Sequence, residues 1–165
     1  MTWALHIARA LEYMHENERI IHLDVKPQNM ALNSALQIKL CNFESSSRME
    51  EIIFTQEVGT PVYMAPEVFI DQKEYSEKCD TYSWALSFWR CFMEERPFND
   101  CPDRATLNVE KRKSERSLAI IPESSEFPSE MNAIIQECYS HDSASRPSMT
   151  NVVKRLEKIL NINQP

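Results

Sequence analysis

The sequence predicts a mostly helical fold that contains one small pair of β strands. Apolar residues recur at three- and four-residue spacing in several segments, which is typical of helices with one buried face. Strand character is confined to residues 30–32 and 37–40, which flank a turn at Asn33-Ser34. Because no internal repeat or linker interrupts the 165 residues, we expect a single domain over residues 1–165.

Four segments have the apolar spacing of helices, and they cover residues 2–18, 76–93, 129–139 and 148–160. In the second segment the residues are apolar nearly all round, which predicts a helix buried in the middle of the domain. Trp3, Trp84 and Trp89 lie at helical spacing and are predicted to pack in the core. The polar residues 44–61 predict a surface loop.

Composition argues against several classes of function. The formal net charge of −7 disfavours a nucleic-acid partner, and the one dense basic stretch, residues 111–116, is interpreted as a solvated helix face. The five cysteines include no C-x-x-C pair, which disfavours a zinc site or a disulfide framework and fits a reducing compartment. No run approaches the ~18 apolar residues of a membrane span. We therefore expect a cytoplasmic protein without a membrane partner.

Residues 22–29, with the sequence HLDVKPQN, combine side chains that suit phosphoryl transfer. The carboxylate of Asp24 can accept or orient the hydroxyl proton of a substrate, and the ammonium group of Lys26 can meet charge on the phosphate. The amide oxygen of Asn29 can ligate Mg²⁺. These three residues are therefore candidates for the reacting centre of such a site.

This segment resembles the catalytic loop of protein kinases. Other segments resemble further kinase motifs in the same order, and they are 42–44 (NFE), 59–67 (GTPVYMAPE), 80–85 (DTYSWA), 96–98 (RPF) and 145–148 (SRPS). The chain is thus similar to the helical C-terminal lobe of a kinase domain, and most similar to the MAP kinase kinase kinases of the TGF-β-activated type. The resemblance implies a Ser/Thr protein kinase that uses ATP and Mg²⁺. It also implies MAP kinase kinases as substrates and adaptor proteins as partners.

The resemblance assigns catalytic and cofactor roles residue by residue. Asp24 corresponds to the catalytic carboxylate, and Lys26 and Thr60 correspond to residues that bridge to it, as in Ser/Thr kinases. Lys26, Asn29 and Asn42 correspond to cofactor-binding positions. Asn29 and Asn42 are also the expected Mg²⁺ ligands, although a pair of asparagines is a degenerate set.

Structural roles are implied for five further residues. His22 and Phe43 are expected to stack against each other, as in the spine that links the two lobes of a kinase. Glu67 and Arg146 are expected to form a buried pair that anchors the activation segment, which follows the catalytic loop in the sequence. Asp80 is expected to accept backbone N–H groups of the catalytic loop.

The chain departs from the kinase pattern in ways that predict impaired catalysis. Asn42 stands where the family has a metal-binding Asp, and the lost charge predicts a drop in metal-dependent turnover by orders of magnitude. Glu44 stands where the family has Gly, which predicts a restricted backbone and repulsion of phosphates. Leu23 stands where the family has an Arg that binds an activation-loop phosphate, so Thr55, if phosphorylated, would have no such partner.

The segments that carry the Gly-rich loop and the ATP-binding Lys and Glu of the smaller lobe are not recognisable, so we expect that lobe to be absent. Three hypotheses follow from these features. The chain could be a pseudokinase lobe that acts as a decoy or scaffold in stress and immune signalling. It could instead be an active Ser/Thr kinase whose N-terminal part lies outside this sequence, or a fragment that folds poorly because its interlobe face is uncovered.

Overall fold

Helices carry most of the structure in the computed structural model, which describes residues 1–51, 59–71, 75–114, 117–124 and 127–161. Within these ranges the α-helices are α1 (Thr2–Glu16), α2 (Lys78–Met93), α3 (Arg104–Lys111), α4 (Ser129–Cys138) and α5 (Met149–Ile159). Short helical turns of 3₁₀ or π geometry cover Pro27–Asn29, Glu67–Asp71 and Ser143–Ser145. The prediction of a mostly helical fold is confirmed. Thr55 lies outside the described residues.

Four short strands form two antiparallel pairs within the same ranges. They are β1 (Ile20–Ile21), β2 (Met30–Leu32), β3 (Ile38–Leu40) and β4 (Ser47–Arg48). β2 pairs with β3, with Met30 opposite Leu40, which confirms the predicted strand pair. β1 pairs with β4, with Ile20 opposite Arg48, and this second ladder was not expected inside the polar segment 44–61.

α2 lies at the centre of the hydrophobic core. Every residue of α2 from Cys79 to Trp89 is buried, as the apolar pattern predicted. The indole of Trp84 is fully buried, and its N–H donates to the carbonyl oxygen of Ala4 on α1 at 3.2 Å. A buried indole needs such a partner, so this bond fixes α1 against the central helix.

α1 and α5 pack against each other at the edge of the core. Arg9 on α1 pairs with Glu157 on α5 at 2.7 Å, and the side chains of Leu11 on α1 and Leu156 on α5 are completely buried. The prediction that Trp3 lies in the core is wrong, because its side chain is 46% exposed. Trp3 stands in the first turn of α1, where its indole N–H donates to the backbone between β2 and β3. No helix among the described residues has the length and apolar character of a membrane span.

Candidate active site

The loop over residues 22–29 runs from β1 to β2 and is fixed to the core by Asp80, in the first turn of α2. The fully buried carboxylate of Asp80 accepts the backbone N–H of His22 at 2.8 Å and that of Leu23 at 2.9 Å. His15 on α1 places its Nε2 2.9 Å from the same carboxylate. Asp80 thus accepts two backbone N–H groups of the loop. The contribution of His15 was missed, because no local pattern links it to Asp80.

Two features show how tightly the loop is constrained next to Asp24. Leu23 has a φ of 65°, a left-handed conformation that costs a residue with a Cβ about 1–3 kcal/mol and is retained only when neighbours hold it. Gly59 approaches the same residue closely, since a Cβ built on it would lie 2.3 Å from the carbonyl oxygen of Leu23. The single glycine of the sequence is thus required by its contact with the loop and by its own φ of 99°.

Asp24 is the centre of a hydrogen-bond network that contains the other predicted catalytic residues. The ammonium group of Lys26 lies 2.7 Å from Oδ2 and also donates to the hydroxyl of Thr60 at 2.6 Å. Thr60 in turn donates to Oδ1 at 2.7 Å, and the amide of Asn29 donates to Oδ2 at 2.8 Å. The structure thus brings together Asp24, Lys26, Asn29 and Thr60, from two segments of the chain.

The electrostatics of this network keep Asp24 ionised. Burial raises the pKa of the carboxyl group, but hydrogen bonds from Lys26, Thr60 and Asn29 outweigh burial and hold the pKa below its ordinary value. A carboxylate in this state can accept a hydrogen bond from an incoming hydroxyl group. The arrangement is therefore suited to orienting a hydroxyl substrate next to a cation.

His22 connects the loop with Cys41 and Phe43, the two neighbours of Asn42 in the sequence. Its Nδ1 accepts the backbone N–H of Asp24 at 3.3 Å, so its Nε2 carries the proton that is donated to the carbonyl oxygen of Cys41 at 3.1 Å. The rings of His22 and Phe43 meet edge to face, with centroids 5.2 Å apart. The two rings are therefore in contact, and Phe43 is 54% exposed.

The two asparagines expected to hold Mg²⁺ bind each other. The exposed Asn42 donates from Nδ2 to Oδ1 of Asn29 at 3.3 Å, so the oxygen expected to ligate a metal accepts a hydrogen bond from the second expected ligand. The nearby carboxylate of Asp24 already accepts three hydrogen bonds. No cluster of three or more His, Cys, Asp or Glu side chains with metal-ligand geometry occurs in the described ranges. Two neutral amides are a poor match for this hard cation, and the residues present do not fit Mg²⁺.

An ion pair between Glu67 and Arg146 joins the helical turn Glu67–Asp71 to the residues that precede α5. The two guanidinium nitrogens of Arg146 donate to the two carboxylate oxygens of Glu67 at 2.6 and 2.9 Å. Arg146 is 1% exposed, and its remaining N–H groups donate to the carbonyl oxygens of Lys78, Ser140 and His141. All five donors of a buried guanidinium thus have acceptors, which is the condition for a stable buried ion pair.

The segment after Thr60 is clamped by side chains from two helices. Lys111, at the end of α3, donates to the carbonyl oxygens of Val62 and Met64 at 3.2 and 2.5 Å. Ser83 on α2 donates to the carbonyl oxygen of Tyr63 at 2.8 Å. The interpretation of residues 111–116 as a solvated face is wrong for Lys111, which is 2% exposed. Its acceptors are almost fifty residues away along the chain, so charge pattern alone could not reveal them.

Comparison with known proteins identifies relatives over nearly the whole chain. The family model described as protein kinase domain matches residues 1–156. Mitogen-activated protein kinase kinase kinase 7 of Drosophila melanogaster is 32% identical over 163 residues, covering 97% of this chain and 23% of the relative. The human protein of that name is 28% identical over 163 residues, covering 97% of this chain and 26% of the relative. RGS domain-containing serine/threonine-protein kinase A of Dictyostelium discoideum is 32% identical over 162 residues, covering 96% of this chain and 13% of the relative. The chain thus spans about a quarter or less of the length of these relatives.

Proposed function

Because the chain belongs to the protein kinase domain family, we propose that it is a Ser/Thr-kinase-like lobe of the MAP kinase kinase kinase type that binds proteins and is impaired in catalysis. In this proposal it acts in the cytoplasm as a decoy or scaffold in stress or immune signalling. Its partners are MAP kinase kinases or the adaptor proteins of a related kinase. The observation that carries the proposal is the contact between Asn42 and Asn29, two neutral amides where kinase chemistry needs a charged metal ligand.

The loss of charge at Asn42 is sufficient to impair phosphoryl transfer. Enzymes of this family use Mg²⁺ to neutralise the triphosphate of ATP, and a carboxylate ligand favours the ion more strongly than an amide does. Groups that stabilise charge in a transition state are each worth about 10²–10³ in rate. We therefore expect slow turnover even where ATP is bound.

Two neighbouring residues support a binding role over turnover. Leu23 is buried in the core and carries no charge, so it gives an activation-loop phosphate nothing to pair with. Glu44 is exposed and follows Phe43 in the sequence, and under this proposal its negative charge repels the phosphates of a nucleotide. The segment from Thr60 to Met64 remains clamped, which favours a preserved surface for protein partners.

The proposal is tested by restoring the missing charge. We expect Asn42→Asp to gain Mg²⁺-dependent thermal stabilisation in the presence of ATP and to transfer phosphate to a MAP kinase kinase at least about a hundredfold faster than the parent chain. Asn42→Ala is the matched control, since it removes the amide without adding charge. Phosphoryl transfer by the parent chain at the rate of the Asp variant would contradict the proposal.

A second candidate, an active ATP-dependent Ser/Thr kinase that phosphorylates MAP kinase kinases, is favoured by one observation. Asp24, Lys26 and Thr60 form an unbroken network around an ionised carboxylate. Under this alternative Asp24→Asn abolishes a measurable phosphorylation by the parent chain. Under the proposal there is little activity to lose, and the same substitution leaves partner binding in place.

A further inference from the structure

Most of the exposed large apolar side chains of the protein lie on one face. Seven such side chains are exposed in the described part of the chain, and five of them belong to α1, to the β2–β3 hairpin or to the loop that follows it. We call this surface the hairpin face. Its five apolar residues are Trp3, Tyr13, Leu32, Leu36 and Phe43, which are 46–69% exposed.

A groove of about 570 Å³ lies between α1 and β3 within the hairpin face. Tyr13 and Phe43 border the groove, and its lining includes the apolar side chains of Met14, Ile20 and Ile38. A concave, mostly apolar surface of this volume is suited to receiving apolar side chains of a partner.

Leu36 forms a rigidly held apolar knob next to this groove. It is 69% exposed and has a left-handed φ of 56°, a conformation that is unfavourable for a residue with a Cβ. Asn33 holds the turn, because its Oδ1 accepts the backbone N–H groups of Ala35 and Gln37 at 3.0 and 2.9 Å. The indole N–H of Trp3 donates to the carbonyl oxygen of Leu36 at 2.9 Å. The tip of the hairpin is therefore fixed with an apolar side chain open to solvent.

The groove also carries one cation and one carboxylate that lack ion-pair partners. Lys39 lies on β3 and Glu18 follows α1, and both exposed residues line the groove. Neither forms an ion pair with any residue that the structure describes, whereas Arg9, a second cation of the lining, is bound by Glu157. A partner that complements this groove has a carboxylate for Lys39 and a cation for Glu18. A second copy of this chain supplies both groups.

The exposed apolar area is sufficient for a weak interface. An aromatic side chain offers about 150–250 Å², so five side chains that are about half exposed present on the order of 500 Å². This is more than half of the roughly 800 Å² that each partner buries in a stable interface, and exposed patches of this size often mark interaction sites. Because a net charge of −7 makes two copies repel each other, we expect association to be weak.

We propose that the hairpin face binds a second copy of this chain in a two-fold symmetric dimer. Leu36 of each copy enters the groove of the other copy, and Lys39 of each copy pairs with Glu18 of the other. A two-fold contact uses the same surface on both copies, so that surface has to be self-complementary. The hairpin face meets this condition because it contains a knob and a groove, and a cation and a carboxylate. The dimer goes beyond the proposed function, since it forms whether or not the chain transfers phosphate.

The first test changes the knob and measures association of the whole chain by sedimentation velocity, from roughly 1 to 300 µM. We expect the parent to be a monomer at the low end and a dimer at the high end. Leu36→Asn should dimerise at least about tenfold more weakly, because an apolar side chain is no longer buried. Asparagine tolerates the left-handed φ, so the thermal melt should not fall. The matched control is Ile120→Asn, at a residue that is 64% exposed outside the hairpin face, and it should associate as the parent does.

The second test reverses the two charges of the groove. Lys39→Glu and Glu18→Lys should each dimerise at least about tenfold more weakly than the parent, because like charges then meet twice in the interface. An equimolar mixture of the two variants should recover nearly the parental affinity, since a heterodimer contains two opposite-charge contacts. A defect within one copy, such as loss of the hydrogen bond from Tyr13 to Glu18, would persist in the mixture and could not produce this recovery.

Three results would overturn the inference. A monomer at every concentration would leave the hairpin face to a different occupant, either another protein or another stretch of polypeptide. Equal association of Leu36→Asn and Ile120→Asn would remove the role of the knob. A mixture of the two charge variants that associates no more tightly than either variant alone would remove the pairing of Lys39 with Glu18. All three outcomes are independent of Asn42, so the proposal on catalysis is decided separately.

Discussion

Glu67→Gln isolates the stability contributed by the buried ion pair with Arg146. The substitution keeps the size of the side chain and removes its charge, which leaves a guanidinium that is 1% exposed without a counter-ion. Breaking one partner of a buried pair costs about 3–5 kcal/mol. We expect the lower end, about 3 kcal/mol, because the Glu67 side chain is 16% exposed and Arg146 keeps three carbonyl acceptors.

The chain supplies a matched control in Glu137, which also binds an arginine through both carboxylate oxygens. Glu137 and Arg155 have side chains that are 50% and 31% exposed, so Glu137→Gln should cost less than about 1 kcal/mol. Urea unfolding followed by circular dichroism measures both variants. With a slope of about 2 kcal/mol per molar urea, the midpoint of the Glu67 variant should fall by about 1.5 M, with the slope unchanged. Equal losses in the two variants would refute the reasoning that burial sets the cost.

Two further predictions concern the loop around Asp24. Gly59→Ala should destabilise the fold by about 1–3 kcal/mol, because the new Cβ meets the carbonyl oxygen of Leu23 and the left-handed φ is strained; a thermal melt unchanged from that of the parent would contradict this. The pKa of Asp24 is lower in the folded state, so its contribution to stability is present above its ordinary pKa and is lost as pH falls through the folded value. Asp24→Asn should therefore show a shallower loss of unfolding free energy between neutral pH and acid, measured by urea unfolding at several pH values, and an unchanged slope would count against the pKa shift.

The helices and the centre of the core could be predicted because their signals are local. A run of apolar residues around Trp84 can be accommodated only where every face of the helix is covered, and α2 has that position. Trp3 has the same spacing on α1, yet its indole lies at the surface. Periodicity gives the face of a helix, but it does not say how far along that face the packing extends.

Within the site, residues from a contiguous motif could be predicted and long-range anchors could not. Asp24 and Asn29 lie five residues apart, and their spacing already places them together. Lys111 reaches its acceptors across almost fifty residues, and His15 reaches Asp80 across 65. A lysine among other charges and a histidine on an amphipathic helix have no local feature that marks them as buried donors. Only the assembled fold shows the acceptors that make their burial possible.

The geometry of residues 42–44 separates loss of chemistry from loss of structure. Asn42 has a φ of 64°, and asparagine tolerates this left-handed conformation better than most residues, so the backbone here needs no carboxylate. Glu44 is not among the described residues with positive φ, so its backbone conformation does not require the glycine expected from the family. The structure therefore shows no backbone strain at Glu44 that would support the predicted restriction. Both substitutions are therefore compatible with the fold and change mainly charge. The chain keeps the clamped segment and the network around Asp24 and has a neutral amide at residue 42, and this combination is the one that the proposed binding role requires.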